Sequence, residues 1–337
     1  MKRILVLALS AVFSLPLPAW PDSLAVMFWN LENFYDCTDS GMSGSDREFS
    51  PDGERRWTKS RYWRKCHGVA KTVLWIADRY GAAPGVIGVA EVENRSVMQS
   101  VIRGTVLRKY GYVQIHEDSP DRRGIDVALL YRSDLFSEVC HKAVGVNCDL
   151  DGNTLHTRDI LYVCLECRSG GERLHFLVNH HPSKYGGEKE SRPARFAAMR
   201  EMVSLCDSLI LRGERNIVCM GDFNDTPDAV AFSLADGILV NAASPLASCG
   251  RGTIRYGGKW EMIDMFLTDR DLAVDVYMEI CFPEFLAAED KAHSGLKPLR
   301  TYTGPRYSGG ISDHLPVILL GKTLGFSAEF PKFEDCD

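Results

Sequence analysis

The chain has 337 residues, of which 45% are hydrophobic and 25% charged, and its formal net charge is −6. This is ordinary globular composition, and the length suits one large domain or two small ones. An acidic chain does not favour tight non-specific binding of a polyanion. A local basic cleft remains compatible with this charge. The basic clusters at residues 55–61 and 122–123 are candidates for such a cleft, although solvated surface is the simpler interpretation.

The first residues have the pattern of a secretion signal. Lys2 and Arg3 are followed by an apolar segment at 4–15 and by a small residue, Ala19. The apolar segment is shorter than the ~20 residues that span a bilayer, so a cleaved signal is favoured over a membrane anchor. We predict a signal peptide at residues 1–19, export to the periplasm or the extracellular medium, and no stable membrane span.

The remaining chain alternates between strand and helix patterns. Strands are predicted at 24–29, 86–90, 127–131, 161–166, 174–179, 217–220, 262–267 and 317–320, and helices at 61–80, 96–110 and 195–212. Ser96 is the predicted N-cap of the second helix. Residues 36–52 and 282–310 are predicted as long loops, and the segments 36–60 and 282–310 are predicted to frame a cleft. No linker divides the chain, so we predict one catalytic domain at 24–322 and a C-terminal tail at 323–337.

Polar residues that a buried core does not need stand at the ends of predicted strands. They are Asn30, Glu91, His180, Asp222 with Asn224, and Asp313 with His314, while Asp264 lies inside a further predicted strand. Each residue alone could be a turn residue, a helix cap or a structural His. Together they stand where α/β folds place their chemistry, and their oxygen and imidazole groups suit a hard divalent cation and a phosphate.

The segments that contain these residues resemble the endonuclease/exonuclease/phosphatase superfamily, in the same order along the chain. The Gly-Asp-Phe-Asn sequence at 221–224 and the Ser-Asp-His sequence at 312–314 are specific when they occur together. Weaker elements are Asn-Leu-Glu-Asn at 30–33, residues 89–94, residues 178–180 and residues 260–264. The resemblance implies an α/β fold, a four-layer sandwich with two packed mixed β-sheets, and metal-dependent hydrolysis of a phosphoester.

The resemblance also implies a role for each residue. Glu91 is the main carboxylate for Mg²⁺, with Mn²⁺ or Ca²⁺ as alternatives, and Asn30 and Asp313 assist it. Asp222 activates the attacking water. Asn224 is implied to hold that water or a phosphate oxygen. His314 is implied to contact the scissile phosphate, with Asp264 as its carboxylate partner. His180 is implied to be a second active-site His.

Asp126 is a further candidate, because it directly precedes the predicted strand at 127–131. We predict that it pairs with His180, as an acidic residue does in deoxyribonuclease-like relatives, and a loop carboxylate is the alternative. His181 follows His180 directly and raises a zinc site as an option. Adjacent side chains on a strand point to opposite faces, so that option is not favoured. The Trp-x-Asp-Arg signature of inositol polyphosphate phosphatases is absent, which disfavours a phosphoinositide substrate.

The sequence therefore predicts an exported, Mg²⁺-dependent phosphodiester hydrolase, above all a nuclease that acts on DNA or RNA. Two alternatives stay open. One is a phosphatase or a phospholipid or sugar phosphodiesterase on the same fold, and the other is a non-catalytic polyanion-binding protein. We expect a monomer whose partner is a phosphodiester substrate.

Overall fold

A computed structural model of the chain describes residues 24–41, 43–146, 148–150, 153–154 and 157–321. The predicted signal peptide at 1–19 and the predicted tail at 323–337 lie outside the described residues. The helices are α1 (Gly44–Glu48), α2 (Lys59–Tyr80), α3 (Arg95–Gly104), α4 (Glu188–Leu211) and α5 (Ser244–Ser248). Short 3₁₀ helices lie at Val106–Lys109, Val230–Ala235, Leu272–Val274 and Glu284–Leu286.

The strands are numbered in chain order. They are β1 (Ala25–Phe34), β2 (Val86–Val92), β3 (Tyr112–His116), β4 (Asp126–Arg132), β5 (Phe136–Val144), β6 (Asp149–Leu150), β7 (Asn153–Thr154), β8 (Ile160–Cys167), β9 (Arg173–His180), β10 (Ile217–Asp222), β11 (Leu239–Asn241), β12 (Ile254–Tyr256), β13 (Lys259–Glu261), β14 (Asp264–Asp269), β15 (Val276–Ile280), β16 (Ala287–Glu289), β17 (Leu296–Pro298), β18 (Tyr302–Thr303), β19 (Arg306–Tyr307) and β20 (Val317–Gly321).

Most of the strands form two six-stranded sheets, in the orders β15-β20-β1-β2-β4-β3 and β11-β14-β10-β9-β8-β5. Both sheets are mixed, because β1 is parallel to β2 and β9 is parallel to β10 while the other neighbours are antiparallel. The remaining short strands pair as hairpins, β6-β7, β12-β13, β16-β17 and β18-β19.

The two sheets pack face to face. Phe28 of β1 and Phe176 of β9 are fully buried in one shared apolar core. Gly88 of β2 faces β10 so closely that a Cβ atom there would lie 2.7 Å from Sδ of Met220. The absence of a side chain at Gly88 therefore allows the sheets to approach each other.

Helices cover the outer faces of both sheets. Val69 of α2 and Val101 of α3 are buried with Met27 of β1 outside the first sheet. Outside the second sheet, Sγ of Cys206 in α4 lies 3.3 Å from Sγ of Cys219 in β10. The layers therefore run helix, sheet, sheet, helix, and the predicted four-layer α/β sandwich is confirmed.

Local sequence sets the ends of the helices. Thr58 caps α2, and Gly81 ends it with a φ of 76°, a conformation that glycine adopts without strain. The predicted cap of α3 was wrong, because Oδ1 of Asn94, and not Ser96, accepts the hydrogen bond from N of Val97 at 3.1 Å. Asn94 directly precedes the helix, and its short side chain reaches the amide of the third helical residue, so it is the N-cap.

Two further predictions about the elements need correction. Asp264 does not lie inside a strand but is the first residue of β14. The segment 282–310 is not one long loop, because it contains the hairpins β16-β17 and β18-β19. Strands of two or three residues are too short to produce a detectable alternation of apolar and polar residues. Among the residues that the structure describes, every helix is too short or too polar to cross a membrane.

Candidate active site at the rim of the two sheets

The register of the strands brings the predicted site residues to one rim. Asp222, at the end of β10, pairs with His180 of β9 on one side and with Asp264 of β14 on the other. In the facing sheet, Asn30 of β1 pairs with Ala90, one residue before Glu91. Nδ2 of Asn30 donates a hydrogen bond to Oδ2 of Asp222 at 2.9 Å, so the two sheets meet at this point.

His314 and Asp264 form a buried pair. Nδ1 of His314 lies 2.8 Å from Oδ2 of Asp264, and Nε2 of His314 lies 3.9 Å from Oδ2 of Asp222. Burial lowers the pKa of His314, but the carboxylates of Asp264 and then Asp222 outweigh it and raise the pKa well above its usual value. His314 is therefore an imidazolium at neutral pH, with Nδ1–H on Asp264 and Nε2–H directed toward Asp222.

Asp222 is a buried carboxylate with a perturbed pKa. Burial, and then the charge of Asp264, raise its pKa to about 7, against the lowering effects of His314 and of hydrogen bonds from Asn30 and Asn224. Oδ1 of Asp222 accepts a hydrogen bond from N of Asn224 at 2.9 Å, and Nδ2 of Asn224 donates to the carbonyl of His181 at 2.9 Å. A carboxylate with a pKa near neutrality is suited to accept a proton from water.

His180 lies between two carboxylates. Its Nε2 is 3.8 Å from Oε1 of Glu91 and 3.7 Å from Oδ2 of Asp222. Complete burial, together with the charges of Arg158 and Arg123, lowers the pKa of His180 well below its usual value, so its ring is neutral. Its Nδ1 has no hydrogen-bond partner within the described residues.

The predicted pairing of Asp126 with His180 is wrong. Oδ2 of Asp126 lies 3.3 Å from Nε2 of His116, and Oδ1 accepts a hydrogen bond from N of Ser119 at 3.0 Å. His116 pairs with Ala128 across β3 and β4, and Asp126 stands two residues before Ala128 on the same face of the strand. Asp126 therefore shares a face of the first sheet with His116 of the neighbouring strand, and it pairs with that residue instead of with His180.

The three predicted metal ligands lie beside this cluster. Oε2 of Glu91 accepts a hydrogen bond from N of Asn33 at 2.7 Å, and Oδ1 of Asn30 accepts one from N of Glu32 at 2.9 Å. Oδ2 of Asp313 lies 2.9 Å from Nη2 of Arg300. The side chains of Glu91 and Asp313 keep 12% and 24% of their surface exposed, so carboxylate oxygens remain accessible at the rim.

The backbone at the site is unusual. Non-glycine residues with positive φ are rare, yet Glu32 (47°), Asn33 (49°), Glu91 (60°) and Asn224 (50°) all adopt this conformation. The first three stand where the pairing of β1 with β2 and of β2 with β4 shifts register. Bulges and strained residues are concentrated at functional sites, where they redirect side chains.

Several supporting residues were not predicted from the sequence. Oγ of Ser312 donates to the carbonyl of Asn30 at 2.6 Å and accepts from N of His314 at 3.0 Å, and Nε1 of Trp29 donates to the carbonyl of His314 at 2.9 Å. These bonds fix the segment that contains Asp313 and His314 against β1. The position of Ser312 next to Asp313 and His314 was the one signal in the sequence that could have indicated it.

A second group of supporting residues forms ion pairs and charged hydrogen bonds around the carboxylates. Nε of the buried Arg195 lies 2.7 Å from Oδ2 of Asp225 and ties α4 to the segment that follows Asp222. Nη2 of Arg300 lies 3.1 Å from Oε1 of Glu32 as well as close to Asp313. Nζ of the buried Lys65 donates to Oγ1 of Thr301 at 3.0 Å. These partners are distant in sequence, so no local pattern could reveal them.

A known family matches the chain over the same limits as the fold. A sequence profile described as the Endonuclease/Exonuclease/phosphatase family matches residues 25–322. The members of this superfamily are phosphoric ester hydrolases. The match spans most of the chain, and the protein therefore belongs to the endonuclease/exonuclease/phosphatase family, as the sequence motifs predicted. No curated protein sequence matches the chain.

Solved structures share the fold at low sequence identity. The human Nocturnin catalytic domain, solved with a bound sulfate, is 16% identical with a TM-score of 0.53, covering 90% of this chain and 96% of its own. TDP2 from D. rerio, in complex with a single-strand DNA product, is 13% identical with a TM-score of 0.53 and coverage of 88% and 97%. A mannosyl-6-phosphatase from Bacteroides thetaiotaomicron is 15% identical with a TM-score of 0.52 and coverage of 89% and 99%.

Proposed function

We propose that this protein is a divalent-metal-dependent hydrolase that uses water to break a P–O bond, and that its leading substrate is the phosphodiester of a nucleic acid. One observation supports this most strongly. The buried carboxylate of Asp222 lies 3.9 Å from Nε2 of His314, whose Nδ1 lies 2.8 Å from Asp264. A base and a charged hydrogen-bond donor therefore face the same small volume.

Asp222 acts as the general base. With a pKa of about 7 it is partly ionised at neutral pH, and the ionised form accepts a proton from the attacking water. The hydrogen bond from N of Asn224 at 2.9 Å holds one of its oxygens in place. Asn224 follows Asp222 at the rim, and its remaining amide groups are placed to hold the water or a phosphate oxygen.

His314 stabilises the charge that develops on the phosphate. Its Nε2–H, held in place by the Nδ1–H bond to Asp264, donates to a non-bridging oxygen as the negative charge grows. His180 is neutral, because its pKa lies well below its usual value. His180 therefore contributes a hydrogen bond and no net charge. Asp264 is a positioning residue that acts through His314.

Glu91, Asp313 and Asn30 fit a hard divalent cation. Their donors are two carboxylates and an amide oxygen, the ligands that Mg²⁺ and Mn²⁺ prefer. The accessible carboxylate oxygens of Glu91 and Asp313 at the rim support the same assignment. When bound, the cation supplies Lewis acidity to the phosphate. Arg123, with Nη2 3.6 Å from Oε2 of Glu91, adds positive charge at the edge of this set.

A nucleic acid is the favoured substrate for two reasons. The structure of TDP2, which shares the fold, contains a single-strand DNA product. The rim also presents Arg123, 40% exposed, and Lys184, 34% exposed, as contacts for a phosphate backbone. The similarity to a mannosyl-6-phosphatase supports a second candidate, hydrolysis of a small sugar phosphate. We further propose that the protein acts as a monomer, which size-exclusion chromatography tests.

A substrate panel tests the proposal. The protein is incubated with plasmid DNA, RNA, a phosphodiester and a phosphomonoester, in Mg²⁺, in Mn²⁺ and in EDTA. We expect cleavage of DNA or RNA in Mg²⁺, none in EDTA, and little with the Asp222→Asn variant. Hydrolysis of the monoester alone would replace the nuclease proposal with a phosphatase. No hydrolysis of any member, with intact binding of DNA, would instead identify a non-catalytic polyanion-binding protein.

We also propose that the chain is exported by means of residues 1–19. Expression of the full-length chain, followed by fractionation and N-terminal sequencing, tests this. We expect the protein in the periplasm or the medium with a new N-terminus close to residue 20. A cytoplasmic protein that retains Met1 would contradict export.

A further inference from the structure

A pocket of about 260 Å³ opens beside the rim cluster. It lies between the two segments that were predicted as cleft-framing loops, and its lining includes Glu32, Asn33, Phe49, Arg55, Arg300 and Tyr302. The volume lies just below the ~300–1,000 Å³ of sites for drug-sized ligands, so the pocket suits one end of a substrate.

The pocket shares walls with the expected metal ligands. N of Asn33, which lines the pocket, donates to Oε2 of Glu91 at 2.7 Å. Nη2 of Arg300, on another wall, lies 2.9 Å from Oδ2 of Asp313. A molecule with its reacting phosphate at Glu91 and Asp313 therefore has this pocket as its immediate neighbour.

Arg55 is held rigidly at the pocket wall. Its Nε donates to Oε1 of Glu48 at 2.7 Å, its Nη1 donates to the carbonyl of Gly304 at 2.6 Å, and its Cζ lies 5.3 Å from the ring centre of Tyr302. Its Nη2 has no hydrogen-bond partner within the described part of the chain, and the side chain keeps 28% of its surface exposed. One N–H edge of a preorganised guanidinium group is thus available to a ligand.

Arg300 offers a second guanidinium group. Its Nε and Nη2 contact Glu32, and Nη2 also contacts Asp313, while Nη1 has no protein partner among the residues the structure covers. A guanidinium group stays protonated in proteins, so Arg300 is a permanent cation at this wall. The side chain keeps 47% of its surface exposed. The lining itself carries two cationic side chains, Arg55 and Arg300, and one carboxylate, Glu32.

We propose that this pocket is a subsite for a second anionic group of the substrate, a terminal phosphate monoester that lies next to the phosphoester being hydrolysed. Two guanidinium groups with free N–H donors match the oxygens of a phosphate. Arg55 and Arg300, which are distant in sequence, both present such a group to the pocket. This inference rests on the proposed hydrolase function and makes it more specific. The enzyme then prefers phosphorylated ends over the interior of a polynucleotide.

The test compares three matched substrates that contain one internal phosphodiester. They are a dinucleotide without a terminal phosphate, the same dinucleotide with a 5′-phosphate, and the same dinucleotide with a 3′-phosphate. We expect kcat/KM for one phosphorylated form to exceed that for the unphosphorylated form by about tenfold or more, the effect of one charged hydrogen bond. The preferred form shows which end of the substrate occupies the pocket.

Variants assign the preference to the pocket. Arg55→Ala and Arg55→Gln are expected to reduce the ratio of kcat/KM values toward 1. The matched control is Arg215→Ala. Arg215 is an exposed arginine on the loop before β10, and its Nε lies 3.2 Å from Oδ2 of Asp271. This variant is expected to keep the ratio. Thermal unfolding of each variant shows whether Arg55, which contacts Glu48 and Gly304, is needed for folding. The ratio in the unchanged protein does not depend on that result.

The outcomes separate the two claims. Equal kcat/KM for all three dinucleotides overturns the subsite and leaves the hydrolase proposal standing. A preference that survives both Arg55 variants also overturns the subsite. Absence of hydrolysis of every substrate in Mg²⁺ and Mn²⁺, together with inactivity on DNA, RNA and the monoester, overturns the proposed function and the subsite with it.

Discussion

Replacing Asp264 with Asn removes the negative charge that orients and charges His314. In the native protein, Oδ2 of Asp264 lies 2.8 Å from Nδ1 of His314, and Asp264 is fully buried. Asp264 is the main group that raises the pKa of His314 against the opposing effect of burial. The Asn side chain has nearly the same volume, so it removes the charge and leaves the packing intact.

The magnitude follows from the loss of one charged hydrogen bond in a buried site. Such a bond contributes about 1.5–3 kcal/mol, and ~1.4 kcal/mol corresponds to a tenfold change in rate. We therefore expect kcat to fall by about 10- to 150-fold. Asp264 acts through His314 on charge that develops in the transition state, so we expect the loss in kcat.

The pH dependence provides a sharper test of the same substitution. Without Asp264, burial lowers the pKa of His314, so a smaller fraction of the ring is protonated as pH rises. The pKa of Asp222 falls as well, because Asp264 is the second cause of its elevation. Both changes move the rate optimum to lower pH, and the deficit of the variant is expected to be larger at pH 8 than at pH 6. An unchanged kcat, or a deficit that is independent of pH in a folded variant, would refute this reasoning.

Three other predictions follow from the site and its surroundings. Asp222→Asn is expected to lower kcat on the preferred substrate by ~10²-fold or more, because a proton acceptor is lost. If the variant kept the kcat of the wild type, the base would lie elsewhere. Glu91→Gln is expected to raise the Mg²⁺ concentration for half-maximal rate by at least about tenfold, measured by metal titration, since even supporting residues of a metal site have effects of that size; an unchanged titration curve would remove Glu91 from the metal site. Burial lowers the pKa of His181 to about 3, so between pH 6.5 and pH 3 the unfolded state binds a proton that the folded state does not, and folding stability is lost as pH falls. His181→Gln is expected to remove this loss. The free energy of unfolding, measured with denaturant, should then fall with decreasing pH less steeply than in the wild type, by ~1.4 kcal/mol per pH unit. Parallel pH profiles for the two proteins would contradict this prediction.

The strand-end residues were predictable because the geometry of a sheet is regular. Once β9 and β10 are parallel, His180 and Asp222 must meet, and the antiparallel β14 must bring its first residue, Asp264, to the same rim. The apolar segments before these residues were visible in the sequence. The family motifs added the order in which they occur.

The failed prediction for Asp126 shows the limit of that approach. Alternation along β4 fixes the face of the sheet on which Asp126 lies, but it does not determine which strands are the neighbours of β4 in the sheet. The neighbour is β3, a strand of five residues with no clear pattern in the sequence, and its His116 takes the place predicted for His180. The partner of a side chain depends on the order of strands in the sheet, which a local pattern does not contain.

The charged surroundings of the site were likewise beyond local patterns. Lys65 and Thr301 are separated by 236 residues, and Arg300 and Glu32 by 268. Such contacts depend on the packing of α2 and the segment before β18 against β1. The basic cluster at 55–61 was noted in the sequence, yet only the structure shows that Arg55 lines a pocket beside Asp313 and Glu91.

Hydrolysis in ¹⁸O-labelled water tests the central claim most directly. The preferred phosphodiester is cleaved in Mg²⁺ by the wild-type protein and by Asp222→Asn, and the products are analysed by mass spectrometry. With the wild-type protein, we predict one ¹⁸O atom in the phosphate-bearing product. With Asp222→Asn, we predict that little of this labelled product forms. Label in the alcohol product, or cleavage that persists at the wild-type rate in Asp222→Asn, would contradict water attack at phosphorus by this cluster.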